Sequence, residues 1–317
     1  MKDKIIDKFD PFNSSKLFGH DLLLNDLIDL FNKNKLPKVL LLTGEKGIGK
    51  FTLTFHFINY VLSKNTDKQY NLIDFEINKN SSVYEHICKN ISQNFFYVSN
   101  YNYKTGIEDL RFLKKNFMNT SLNNDPRFII FDDIEFLNVN SANSLLKFIE
   151  EPSSNIYFIL INNQKQKIIE TIKSRSLEYK IFLNSKSKDF ILSSLLGIHN
   201  LNKLSLNELS SFSSPGNFIR FLDISNNLNL DLKDDLYNLC KILIDNYKKT
   251  KNELYIDFIN LLIDYKFSKL INTQNSSFIK KSLDKVSLIK TVYNYKKFNL
   301  NSSSLLEYIK TFDKKHV

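Results

Sequence analysis

A chain of 317 residues, 42% of them hydrophobic, is long enough for two or three domains and too apolar to remain unfolded. No apolar run approaches the ~20 residues that span a bilayer, and the stretch from Met1 to Asp10 is charged throughout, so an unexported, cytoplasmic protein with no membrane partner is expected. The net charge of +10 does not by itself argue for a nucleic-acid partner. Abundant Asn, Lys, Ile and Phe beside scarce Gly, Pro and Trp is the pattern that A/T-rich codons produce, and drift toward Lys adds charge without a binding face. Cys88 and Cys240 lie far apart, match no metal spacing and read as two reduced core thiols.

In chain order, Leu22, Leu23, Leu27, Leu30 and Phe31 fall at helical spacing. After Pro37 comes Val39 to Leu42, a short continuous apolar run that suits a strand buried on both faces. A glycine-rich turn follows, and Phe51, Phe55, Ile58, Tyr60 and Leu62 then mark a buried helix. A second strand is expected at Leu72 to Phe75 and a helix from Glu108 to Asn119. Phe128 to Phe131 reads as a strand ending in Asp132-Asp133, followed by a helix from Ala142 to Glu151 and a strand at Ile156 to Ile161. A helix around Gln166 to Ile172 and a last strand near Tyr179 to Leu183 complete the series. Strands alternating with helices imply a mainly parallel, doubly wound sheet, whose ligands bind at the carboxyl ends of the strands.

Three of the seven glycines, Gly44, Gly47 and Gly49, fall within six residues. Gly44 to Lys50 satisfies the first seven places of G-x-x-x-x-G-K-[ST], the loop whose backbone N–H groups converge on phosphate oxygens while its lysine supplies a point charge. The eighth place, where a hydroxyl would hold magnesium, is Phe51. A hard cation takes oxygen ligands. Thr52 is one place late, and a helix turns its side chain ~100° away. The second acidic position is similarly altered. Asp132 would face the metal, but the following residue is Asp133 where such ATPases carry Glu, and Glu135 lies two places beyond. These residues leave nucleotide binding open and make hydrolysis unexpected.

Several motifs resemble those of the bacterial clamp-loader subunits of DNA polymerase III, a group of AAA+ proteins. They are Phe18-Gly19-His20, the run from Leu41 to Lys50, and Asp132 to Asn138 continuing through Ser141-Ala142-Asn143-Ser144-Leu145-Leu146-Lys147-Phe148-Ile149-Glu150-Glu151-Pro152. The last is close to a signature of the gamma/tau and delta-prime members. Ser174-Arg175-Ser176 looks like the family's Ser-Arg-Cys motif with serine in place of cysteine, and Ser214-Pro215-Gly216-Asn217 like a turn in its lid domain. The resemblance covers roughly residues 17 to 220. It implies that Arg175 reaches into a neighbouring subunit's ATP site and acts there in trans, and that Asn162 occupies the sensor position at a strand end. It also implies partners: gamma/tau and delta subunits in a hetero-pentameric ring, with the sliding clamp and primed DNA met through that complex.

Two departures sort among the family's members. Phe51 replaces the Ser or Thr that the gamma/tau ATPases keep, and the stretch from Lys50 to Asp132 holds only Cys88, too few ligands for a zinc module. The expectation is therefore a non-hydrolysing subunit of the delta-prime type that requires no cofactor. An active gamma/tau-type ATPase using Lys50, Asp132 and a displaced Thr52 is the alternative. From Ser185 onward the spacing is helical throughout. The fold expected is an α/β P-loop (AAA+) domain at 1–184, a small helical lid at 185–225, and an all-α C-terminal domain at 226–317, which the resemblance reads as an oligomerisation collar.

Overall fold

A computed structural model describes residues 9–99, 125–150, 155–199, 213–273 and 278–316. The expected helix from Glu108 to Asn119, the Leu204 to Phe212 part of the helical spacing expected after Ser185, and the pair Glu151-Pro152 lie outside the described residues. The chain divides into two units, Met1–Ser194 and Leu195–Val317.

Among the described residues of the first unit, five strands form one parallel sheet: β1 (Val39–Thr43), β2 (Phe95–Ser99), β3 (Arg127–Asp132), β4 (Ile156–Asn162) and β5 (Leu177–Lys180), in the order β2-β3-β4-β1-β5. Alternate side chains of the central strands enter two separate cores, because successive residues of a strand point to opposite faces. Leu40, Leu42, Phe128, Ile130, Ile159 and Ile161 join one core with helices α1 (Asp21–Asn32) and α2 (Lys50–Ser63). Val39, Leu41, Ile129, Phe131, Phe158 and Leu160 join the other with helix α4 (Val139–Ile149), which follows the short α3 (Ser82–Cys88) in chain order. Covered on both faces, these strands carry the continuous apolar runs read in the sequence. The parallel α/β architecture, with the glycine loop between β1 and α2, is as expected.

Four local expectations are corrected. Leu72 to Phe75 is a turn, with Leu72 and Ile73 exposed. The Asn71 carboxamide accepts the N–H groups of Ile73 and Asp74 at 2.9 and 3.2 Å, and Phe75 adopts a positive φ of 51°. Such local side-chain bonding competes with strand pairing. The strand lies instead at Phe95–Ser99, an aromatic and β-branched run that fits a pleated surface. The helix expected from Gln166 shortens to α5 (Glu170–Lys173), after Gln164 turns with φ 58°, and the last strand begins earlier, at Leu177. Cys88 is exposed rather than in the core, whereas Cys240 is buried and its thiol pushed up by that burial.

The remaining helices are α6 (Ser185–His199), α7 (Pro215–Asn227), α8 (Leu236–Thr250), α9 (Leu254–Thr273), α10 (Phe278–Phe298) and α11 (Ser302–His316). The second unit is helical among its described residues. Leu239, Leu243, Ile259, Leu262, Val292 and Ile309 are fully buried there, and the Phe267 and Phe312 rings stack at 4.7 Å. The Asp313 carboxylate accepts the Tyr237 N–H at 2.7 Å near the start of α8. No helix among the described residues is long and apolar enough to cross a membrane.

On α2, His56 is fully buried between the Tyr70 hydroxyl at 2.9 Å and the Ser14 carbonyl at 3.0 Å. Burial lowers its pKa to about 4, from an ordinary value of 6.5. A folded-state value below the unfolded one means that the unfolded chain binds more protons in that window, so stability is lost as pH falls through it. Denaturant titrations at pH 7 and pH 5 are expected to show His56 contributing about 2 kcal/mol to the loss. A His56→Gln variant should lose correspondingly less over the same interval; an equal loss in both proteins would remove His56 as the cause.

Candidate functional site

Strands β1, β4 and β3 are neighbours in the sheet, so their carboxyl ends bring the Gly44 loop, Asn162-Asn163 and Asp132-Asp133 to one edge. Thr43 is paired with Asn162, and the Gly44 N–H donates to the Asn162 carbonyl at 3.2 Å. A Cβ on Gly44 would lie 2.6 Å from the Ile181 carbonyl oxygen, so only glycine permits this close approach. Gly47 and Gly49 have φ of 86° and 97°, the left-handed region that other residues avoid. Gly49 caps α2, whose first N–H groups therefore face the loop, as anion binding requires. His20 backs the turn, its Nε2 being 2.6 Å from the Ile48 carbonyl.

Lys50 begins that helix and is 3% exposed. Its ammonium donates to the carbonyls of Gly44 and Glu45, both at 2.7 Å, so it is folded back over the loop. Burial lowers its pKa to about 8, while Asp132, Glu135, Asp133 and Glu45 pull the other way. The lysine stays cationic at neutral pH because those acids surround it.

Asp132 ends β3 with every carboxylate oxygen engaged. Oδ1 accepts the Asp133 N–H at 2.8 Å and the Asn163 carboxamide at 3.1 Å, and Oδ2 accepts the Tyr97 hydroxyl at 3.1 Å. Burial, and then the charge of Asp133, push its carboxyl above the usual range. Asp133 is buried and left-handed (φ 55°, ψ 43°), accepting from Asn163 at 2.8 Å with the Lys46 ammonium 4.0 Å away. Glu135 is turned inward. It accepts the N–H groups of Asn163 and Lys165, and burial raises its pKa. It ties β3 to the turn after β4, a structural duty.

Asn162, the expected sensor, accepts the Gln164 N–H at 2.9 Å and so shapes its own turn. The neighbouring Asn163, which the spacing argument passed over, bridges both aspartates. Sequence reasoning also passed over Tyr97, because the strand carrying it was not anticipated. Arg175 follows α5 and is apart from this cluster in its contacts: Nε donates to Glu150 at 2.9 Å and Nη1 to the Thr171 carbonyl at 3.3 Å.

The loop, Lys50 and the start of α2 suit a phosphate. A magnesium ion fits poorly. Phe51 is 7% exposed, its ring 4.8 Å from both Phe12 and Tyr97 and stacked on Phe55 at 6.0 Å. Carbon thus stands where a ligand oxygen belongs, and Thr52 lies half-buried one place further round the helix.

A family model described as DNA polymerase III, delta subunit, matches residues 19–183, more than half of the chain. The chain belongs to this family. Membership bears out the resemblance drawn from the motifs, and the matched segment runs from Gly19 through the loop and acidic strand end to β5 and beyond. Over 305 residues the chain is 24% identical to the DNA polymerase III subunit delta' of Buchnera aphidicola subsp. Acyrthosiphon pisum, covering 88% of this chain and 85% of that one. Over 183 residues it is 26% identical to the DNA polymerase III subunit gamma of the Schizaphis graminum subspecies, covering 58% of this chain. It spans 48% of that gamma subunit's length, about half. A DNA polymerase III gamma subunit-related protein from Thermotoga maritima shares the fold, with a TM-score of 0.50, 16% identity, and coverage of 92% of this chain and 99% of that one.

The buried ammonium is directly measurable. Lys50 Nζ should titrate near pH 8 in an NMR titration of labelled lysine, well below the ordinary 10.5. Since the folded value is the lower one, Lys50 adds stability as pH rises from about 8 toward 10.5. Titration above pH 10 would mean that the amine is solvated, not folded over the loop.

Proposed function

We propose that this protein is a non-hydrolysing, delta-prime-type subunit of a bacterial clamp loader. It would stand in a hetero-pentameric ring with gamma/tau and delta subunits in the cytoplasm and help place the sliding clamp on primed DNA. The observation that carries this reading is Phe51, a buried aromatic ring at the one loop position where hydrolysis needs a hydroxyl. The acidic strand end agrees with it, because Asp133 is held by Asn163 and Glu135 by backbone N–H groups, which leaves neither disposed to polarise a water. Energy would then come from ATP bound by neighbours, and this chain would couple conformations rather than perform chemistry. No cofactor is required in this account, although the glycine loop could still receive a phosphate.

Arg175 supplies the contribution made to another subunit's site. It is the charged residue of the Ser-Arg-Ser segment and is 42% exposed at its side chain, and its planar, permanently charged guanidinium suits phosphate oxygens. The exposed ion pair with Glu150 is of the kind worth at most ~1 kcal/mol, so it holds the arginine without preventing transfer to a phosphate. In the same reading the lid lies at 185–225 and the collar in the helices after 226. A gamma/tau-type activity is the second reading, favoured by the intact glycines and Lys50.

Substituting Arg175→Ala tests the assignment in the assembled complex with its partner subunits and clamp. ATP turnover is expected to fall at least ~10-fold, a barrier rise of about 1.4 kcal/mol, while size-exclusion chromatography shows the complex intact. Unchanged turnover in an intact complex would defeat the trans role.

A further inference from the structure

Phe51 accounts for only part of the aromatic group beside the loop. The part that reaches Asp132 comes from β2. Tyr97 sits in the strand next to β3, two residues before the partner of Asp132, since Ser99 pairs with Asp132 and Tyr97 itself with Ile130. Its ring packs edge-on against Phe51 at 4.8 Å and against Phe12 at 5.5 Å, and its hydroxyl donates to Asp132 Oδ2 at 3.1 Å. Phe12 in turn packs on Phe51 and Phe55, so the aromatic group is continuous from the helix start to the strand-end acid.

We infer that Tyr97 and Phe51 together form a plug that closes the divalent-cation position of this loop, Phe51 by removing a ligand oxygen and Tyr97 by occupying the carboxylate. The inference rests on the reading of the loop as a degenerate nucleotide site and names what makes it so. A phenol hydroxyl and a hard cation compete for the same oxygen, and the hydroxyl is already in place. The aromatic contacts hold the phenol there, because withdrawing Tyr97 would expose the faces of Phe51 and Phe12 to water. The remaining cationic groups of the loop, Lys50 and Lys46, together with the N-terminus of α2, would meet a phosphate without a metal bridge. A ligand there is thus an uncomplexed phosphate or nucleotide rather than its magnesium complex.

The test uses the full-length chain, a fluorescent ATP analogue as probe, and Mn2+ as a paramagnetic stand-in for magnesium. For the wild type, affinity for the probe should be no higher with Mg2+ than with EDTA, and electron paramagnetic resonance should detect no Mn2+ bound with the nucleotide. The double variant Phe51→Thr/Tyr97→Phe should bind the probe about tenfold more tightly with Mg2+ than with EDTA and acquire a bound-Mn2+ signal. Thermal unfolding of the variant checks that it folds, and the wild-type arm decides the question even where it does not. Metal-dependent binding by the wild type would overturn the plug, and so would a folded double variant with no metal dependence. Neither result bears on Arg175, whose test in the assembled complex stands apart.

Discussion

An acid at the end of a buried parallel strand needs hydrogen-bond donors, and the donors at Asp132 set the character of the whole edge. β3 delivers the carboxylate, β2 delivers the Tyr97 hydroxyl beside it, and the turn after β4 delivers the Asn163 carboxamide. Every oxygen of Asp132 is thereby matched inside the protein. The left-handed backbone at Asp133 follows from the same arrangement, because it sets that carboxylate within reach of Asn163 and near Lys46. Strain in the left-handed region costs of the order of 1 kcal/mol or more and persists where surrounding contacts demand it. Here the contacts consist of the asparagine bridge and the three N–H bonds at Glu135.

The glycine loop is, by contrast, complete. Close approach at Gly44 and left-handed backbone at Gly47 and Gly49 preserve the phosphate cradle, and Lys50 remains buried among acids that keep it charged. An intact cradle beside a satisfied acid is a combination suited to binding or to fold maintenance, which is what the proposed non-hydrolysing role asks of it. Phe51 links the two halves, lying on the loop's own helix and in the aromatic cluster with Tyr97.

Much of this was legible in the residues. Continuous apolar runs at Val39–Leu42, Phe128–Phe131 and Ile156–Ile161 announced strands covered on both faces, and the loop glycines announced their own backbone. Where the reading failed, local chemistry was responsible. Leu72 to Phe75 has strand composition, but the Asn71 side chain captures the following N–H groups and turns the chain. Phe95–Ser99 had the stronger β composition and was overlooked, and Tyr97 with it. That Asn163, beside the expected sensor Asn162, bridges the two aspartates turns on one position at a strand end, where periodicity carries no information. Arg175 is proposed from its motif alone, since an exposed arginine leaves no trace in hydropathy.

In the proposed function this chain assists a reaction that it does not itself perform. Steady-state ATP turnover by the purified chain, with the Lys50→Ala variant as control, tests it most directly. The account predicts no turnover above that of the Lys50→Ala protein. Robust hydrolysis by the isolated chain that disappears with Lys50 would contradict it and assign the chain to the ATPase subunits.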